Sequence, residues 1–189
     1  MLKSSRLFLS LFFIATLVTG VVAETPPLPE LKAVEQLDVG RYMGQWYEVA
    51  KYPNRFQQHC VGDTTANYLL QAGGVLRVVN RCRSASGVVD EAIAQGRQLG
   101  GRLSARFEVR FAPSWLSLLP FVWSDYWVID IDPNYQLAAV SGPRREYLWI
   151  LSRTPQVDAT AYAALLKRLE AMGFDIQRLE KTPQHGAVR

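Results

Sequence analysis

Residues 41–60 read RYMGQWYEVAKYPNRFQQHC. A glycine, Gly44, opens a run rich in strand-forming residues, and Trp46 stands two positions later. The reason for that arrangement lies in what surrounds it.

The 189 residues begin with an export-signal layout. Lys3 and Arg6 give a positive start, residues 7–18 an apolar middle, and Val21-Val22-Ala23 a small-residue cleavage site. Residues 1–23 are therefore expected to be cleaved, leaving one domain over 24–189. The apolar run, broken by Ser10 and Thr16, is short of the roughly 20 residues that a spanning helix needs. No cysteine stands at the cleavage point, so a lipid anchor is not expected. Loss of Lys3 and Arg6 takes the 21 basic residues to 19 against 17 acidic ones. No Lys/Arg cluster accompanies that near balance, and nucleic acid is not expected as a partner. Cys60 and Cys82 are the two cysteines. In an exported chain a disulfide is the leading reading, with a free pair as the alternative.

Downstream the pattern is one of short strands separated by turn residues, which points to a sandwich or a barrel. At 105–111, Ala105, Phe107, Val109 and Phe111 share one face while Arg106, Glu108 and Arg110 share the other. Further strands are predicted at 46–52, 62–70, 75–82, 91–97, 126–131, 137–140 and 147–152, eight in all. Asp158 is placed to cap a helix that ends at Gly173, with Ala161, Leu165 and Leu169 as its apolar stripe and Leu166 and Met172 nearby. A last strand is expected at 175–179. Residues 71–74 mark a hairpin whose parity pairs Tyr68 with Gly74, Ala66 with Leu76, Thr64 with Val78 and Cys60 with Cys82.

Three blocks carry a family resemblance: Gly44-Gln45-Trp46 with its continuation YEVAKYPNRFQ, DYWVIDID at 125–132, and YLWILSRTP at 147–155. In this order and spacing the chain resembles the lipocalins, in the branch of bacterial lipocalin and apolipoprotein D. It departs from the wider family at Ile131-Asp132-Pro133, where Thr-Asp-Tyr is frequent. The resemblance implies an all-β fold, an eight-stranded antiparallel up-and-down barrel with a C-terminal helix packed on its outside. It also implies that Trp46 lies across the closed end with the Arg153 guanidinium over its indole, and that Gly44 lets the incoming segment turn beneath it.

With those blocks as reference, parity assigns an interior lining of Ala66, Tyr68, Leu76, Val78, Asn80, Phe107, Val109, Phe111, Tyr126, Val128, Trp149 and Leu151. The set suits a small hydrophobic ligand, with Tyr68, Tyr126 and Asn80 as polar handles. The competing reading is that these side chains simply fill the barrel. Trp127 and Tyr47 have the opposite parity and are expected between barrel and helix. The 112–124 loop carries Trp115, Leu116, Leu118, Leu119 and Phe121. It is read as a mouth loop that touches membrane transiently, or else as a lid or an interface.

Candidates for catalysis are sparse. His59 and Cys60 are neighbours whose side chains diverge on an extended strand. His185 stands far away, and Asp130 and Asp132 read as a turn. Glu48 is expected in the closed-end network near Arg153. No cofactor and no metal site is expected, and nothing in the residues specifies an oligomeric state. The reading is non-catalytic binding, sequestration or transport of fatty acids, lysophospholipids or similar lipids in the bacterial envelope, in the periplasm or secreted. A lipid-modifying enzyme and a membrane-associated interaction protein with a filled barrel are the alternatives.

Overall fold

The computed structural model describes residues 28–112, 119 and 122–185; the leader expected at 1–23 lies outside them. Asp38 caps a one-turn helix, α1 (Val39–Tyr42), by accepting a hydrogen bond from the Arg41 amide at 3.1 Å. Gly44, at φ 91°, then swings the chain into β1. The strands are β1 (Gly44–Lys51), β2 (Cys60–Leu70), β3 (Leu76–Ser84), β4 (Val89–Leu99), β5 (Arg106–Arg110), β6 (Ser124–Ile131), β7 (Leu137–Ser141) and β8 (Leu148–Ser152). Each pairs antiparallel with the next, and β1 pairs with both β8 and β2, so the sheet closes into an eight-stranded up-and-down barrel. Closure removes the free edges that an open sheet would expose.

The barrel buries two apolar layers. Inside, Leu37, Tyr42, Trp46, Phe107, Val128 and Val140 fill the end where β1 starts. Outside, Ala50, Ile129, Leu148 and Ile150 meet helix α2 (Ala159–Ala171) through Leu165 and Leu169, both fully buried. Burial of each of these leucines contributes about 1.5–3 kcal/mol. β7 lies between the two layers, so all five of its residues are buried and its sequence, LAAVS, does not alternate. Asp158 caps α2 as its position predicts, accepting from the Ala161 amide at 2.8 Å. Ala161 itself is exposed, and Tyr162 turns toward the sheet in its place. Asp130, on the outer face after a bulge in β6, holds Arg168 of α2 in a bidentate pair at 2.6 and 2.8 Å. Trp127 packs on the outer layer as expected. Asp132 does make a turn, accepting from the amides of Asn134, Gln136 and Leu137.

Two details differ from the sequence expectation. The β2–β3 hairpin pairs Tyr68 with Val78 and Ala66 with Asn80, not with Gly74 and Leu76. Its loop is longer than a four-residue turn, because the Gln71 amide donates to the Val75 carbonyl at 2.8 Å. Two register shifts between Cys60 and Thr65 then leave Cys60 opposite Ser84, with Cys82 within reach on the diagonal. The disulfide forms nonetheless, with Cα atoms 5.6 Å apart. At the other terminus, residues 175–179 are not a strand: a short 3-10 turn spans Ile176–Arg178, and the strand is β9 (Glu180–Lys181), paired with β1.

β9 begins a seam. β1 and β2 pair directly only from Gly44 to Tyr47. Beyond that point the chain at 182–185 lies between them: the Thr182 amide donates to the Val49 carbonyl, the Gln184 side chain to the carbonyls of Glu48 and Thr64, and the Asp63 amide to the Pro183 carbonyl. Gly62 makes the close approach feasible, since a Cβ there would stand 2.8 Å from the Pro183 oxygen. Arg83 pairs with Asp63 at 2.7 Å beneath the strap.

Candidate functional site

The closed end is sealed around Trp46, which has no exposed surface. Its indole N–H donates to the Tyr42 carbonyl at 2.8 Å, and the Arg153 guanidinium lies 3.9 Å from the ring centroid. The same guanidinium donates to the carbonyls of Arg41, Met43 and Gln45 at 2.6–2.9 Å and to that of Tyr135 at 3.3 Å. Gly44, Trp46 and Arg153 thus form one plug. The charged fork meets the orphan carbonyls where the chain enters the barrel.

Above the plug, three phenols meet. The Tyr126 hydroxyl lies 2.7 Å from that of Tyr42 and 2.6 Å from that of Tyr68. Burial pushes all three well above the ordinary tyrosine range, Tyr68 to about 12. They are neutral hydrogen-bonding groups at physiological pH. Tyr42, on the one-turn helix, is the member that strand parity cannot reach.

A cavity of about 170 Å³ opens from the Tyr68 and Tyr126 phenols toward the mouth. Ala66, Tyr68, Val78, Asn80, Val109, Phe111, Tyr126, Trp149 and Leu151 line it. Leu76, Phe107 and Val128 do not: they face inward but belong to the closed-end core, packed with Tyr42 and Trp46. Alternation gives the face of a strand but does not separate core from cavity: Phe107 pairs directly with Tyr126, and only Tyr126 lines the cavity. Phe111 is at the rim, 54 % exposed. A second compartment of about 270 Å³ adjoins the first, shares Phe56, Gln57, Thr64, Asn80 and Phe111 with it, and reaches the disulfide. A larger depression, about 790 Å³, lies outside the barrel between residues 30–36 and 100–106. The barrel compartments have the inward-facing aromatic wall and convergent polar atoms of a ligand site.

Several lining residues were not anticipated. Glu48 is not in the Arg153 network; it is 3 % exposed and lines the cavity. Gln57 donates to it at 2.6 Å and Thr182 of the strap at 2.5 Å. Gln57 also accepts from the Trp149 indole at 2.9 Å, so one amide joins the cavity wall to the carboxyl. Phe56, Tyr147 and Trp149 form an aromatic row at the mouth, with centroids 5.7 and 5.6 Å apart. Phe56 and Gln57 sit in an irregular connection to which no period applies. Thr64 Oγ1 and Asn80 Oδ1 are buried, border both compartments and have no hydrogen-bond partner among the described residues.

Burial raises the Glu48 pKa against the opposing hydrogen bonds of Thr182 and Gln57 and the charge of Lys51. A carboxyl whose folded pKa exceeds its unfolded one binds its proton more tightly in the native state. Its contribution to stability is therefore complete below the unfolded pKa and is lost as pH rises through the folded one. Urea midpoints across about pH 4–8 should fall through that window for the native chain and fall less for Glu48→Gln; parallel profiles would rule Glu48 out as the source.

His59 comes closer to Cys60 than an extended chain would allow, with Nε2 3.7 Å from the sulfur, because it lies in the turn before β2. The sulfur is already bonded to Cys82, so neither a thiolate nucleophile nor a thiolate metal ligand is available there. His185 contacts Arg83 and Asp63 at the seam. Of the mouth loop, Leu119 is 37 % exposed. Trp115, Leu116, Leu118 and Phe121 lie outside the described residues.

Comparison with known proteins agrees with this geometry. Residues 37–184 match the family model described as a lipocalin-like domain. Temperature-induced lipocalin-1 of Arabidopsis thaliana is 40 % identical over 82 % of this chain and 83 % of its own. The outer membrane lipoprotein Blc of Escherichia coli is 33 % identical over 92 % of this chain and 93 % of its own. Apolipoprotein D of Mus musculus is 29 % identical over 82 % of each. Among solved structures, insecticyanin of the tobacco hornworm Manduca sexta superposes with a TM-score of 0.62 at 18 % identity, covering 82 % of this chain and 85 % of that one, and so attests the fold. A sealed base under Arg153, a closed eight-stranded wall, an external helix and these matches together establish that the chain belongs to the lipocalin family.

Proposed function

We propose that this protein binds and carries or sequesters small hydrophobic ligands of the lipid class, fatty acids, lysophospholipids or lipids of similar build, without chemical turnover. The observation that carries the reading is the aromatic-walled, largely apolar cavity above a base sealed by Trp46 and Arg153. Each methylene transferred from water into such space contributes about 0.8 kcal/mol, so an acyl chain supplies affinity without any reaction. The likeness to the outer membrane lipoprotein Blc and the disulfide support a site of action in the bacterial envelope, in the periplasm or after secretion.

Native mass spectrometry of protein purified from its own compartment without detergent tests this. A stoichiometric apolar adduct is expected, and Trp149→Ala should release it, because the indole both walls the cavity and holds Gln57. A bare protein mass that stays unshifted when fatty acids, lysophospholipids and uncharged lipids of similar chain length are added would reject the reading.

A further inference from the structure

The full chain carries a net charge of +4, yet the space inside the barrel has the opposite sign. Glu48 and Asp125 border the first compartment, and among the described residues no Lys, Arg or His does. The second compartment adds Asp90 and Glu91 against Arg81 and His59. Both of those bases already face an acid, Arg81 at 2.6 Å from Glu91 and His59 at 3.7 Å from Asp90. An anion entering this space therefore finds no uncommitted cation among the described lining residues, and it meets the Asp125 and Glu48 side chains, the second of them buried where any charge it carries is not screened by water.

The polar atoms that face the ligand are of a different kind. Thr64 Oγ1 and Asn80 Oδ1 are buried without partners, and the Tyr68 and Tyr126 phenols close the inner end. The three hydroxyls can donate or accept, but Asn80 Oδ1 only accepts, so a ligand hydroxyl, amide or ammonium N–H can satisfy the whole set, whereas a carboxylate leaves Asn80 Oδ1 without a donor. The stacked faces of Tyr147 and Trp149 at the mouth attract a cation by their quadrupoles.

We propose that the barrel selects amphiphiles whose polar end is uncharged or cationic, such as a long-chain alcohol or amine, over those of equal chain length that end in an anion. This rests on the ligand-binding reading above and sharpens it from an apolar ligand to a polar-end class.

The test compares three ligands that share one 18-carbon chain, oleyl alcohol, oleylamine and oleate, below their aggregation limits near neutral pH. Calorimetric titration should give the alcohol and the amine affinities at least about tenfold above that of oleate, a gap of about 1.4 kcal/mol. In Glu48→Gln the ratio of oleate to alcohol affinity should rise at least about threefold, and most toward alkaline pH, where the native carboxyl carries its charge. The comparison in the native chain decides by itself should that variant fold poorly. Oleate binding as tightly as the alcohol would overturn the proposal and leave the carrier reading standing, with the carboxylate held in solvent at the mouth. Binding by none of the three overturns the carrier reading and this preference with it.

Discussion

Trp46→Ala is expected to lower folding stability by about 3–5 kcal/mol, read as a fall in the urea midpoint at unchanged slope. The indole is fully buried across the base of the barrel, so its removal leaves a void among Leu37, Tyr42 and Val140 rather than a solvated notch. It also removes the aromatic face under Arg153, a contact of about 0.5–2 kcal/mol, and the donor to the Tyr42 carbonyl. Trp46→Phe keeps an aromatic face beneath the guanidinium and should recover part of the loss. A companion change, Arg153→Met, tests the other half of the plug: it should also destabilise, because it leaves the carbonyls of Arg41, Met43 and Gln45 without their charged donor. A midpoint shift worth less than about 1 kcal/mol for Trp46→Ala would mean that the base collapses freely, and the plug description would be wrong.

The second large effect belongs to the disulfide. Cys60 and Cys82 are 22 residues apart in sequence, and closing a loop of that size in the unfolded chain corresponds to about 3 kcal/mol of stabilisation. Serine at both positions should lower the unfolding free energy by that amount, read as a fall in the urea midpoint, and a reducing agent should bring the native chain toward the same value. Superposed unfolding curves for oxidised native protein and the double serine variant would contradict this. The loss should be felt at the mouth, because the bridge ties the first residue of β2 to β3 and borders the second compartment.

Much of this architecture is legible before any coordinates. Alternation at 105–111 gives the inward face of β5, and Asp158 gives the start of α2, because strand period and helix capping are local properties of the chain. Trp46 and Arg153 are 107 positions apart in the sequence, and only the family pattern joins them. The cavity wall is less accessible. Leu76, Phe107 and Val128 obey the same parity as Val78, Val109 and Tyr126, yet only the second three border the cavity, and parity does not separate filler from wall. Register fails for a different reason. Asp63 adopts φ 52° in the irregular part of β2, and each shift there moves the pairing without leaving a periodic signal. Glu48 hides best of all: its neighbours Gln57 and Thr182 come from an aperiodic loop and from the far end of the chain.

That seam between β1 and β2 also bears on the order in which the molecule assembles. The β2–β3 and β3–β4 pairings join strands that follow one another directly in sequence. The contact of Glu48 with Thr182 spans 134 positions and that of Lys51 with Glu180 spans 129. Chain entropy must be surrendered before such distant segments reward their meeting, so local hairpins lead and the seam follows. The wall beside the buried carboxyl is thus expected to be the last course laid, and the cavity to acquire its full boundary only after the rest of the barrel has formed.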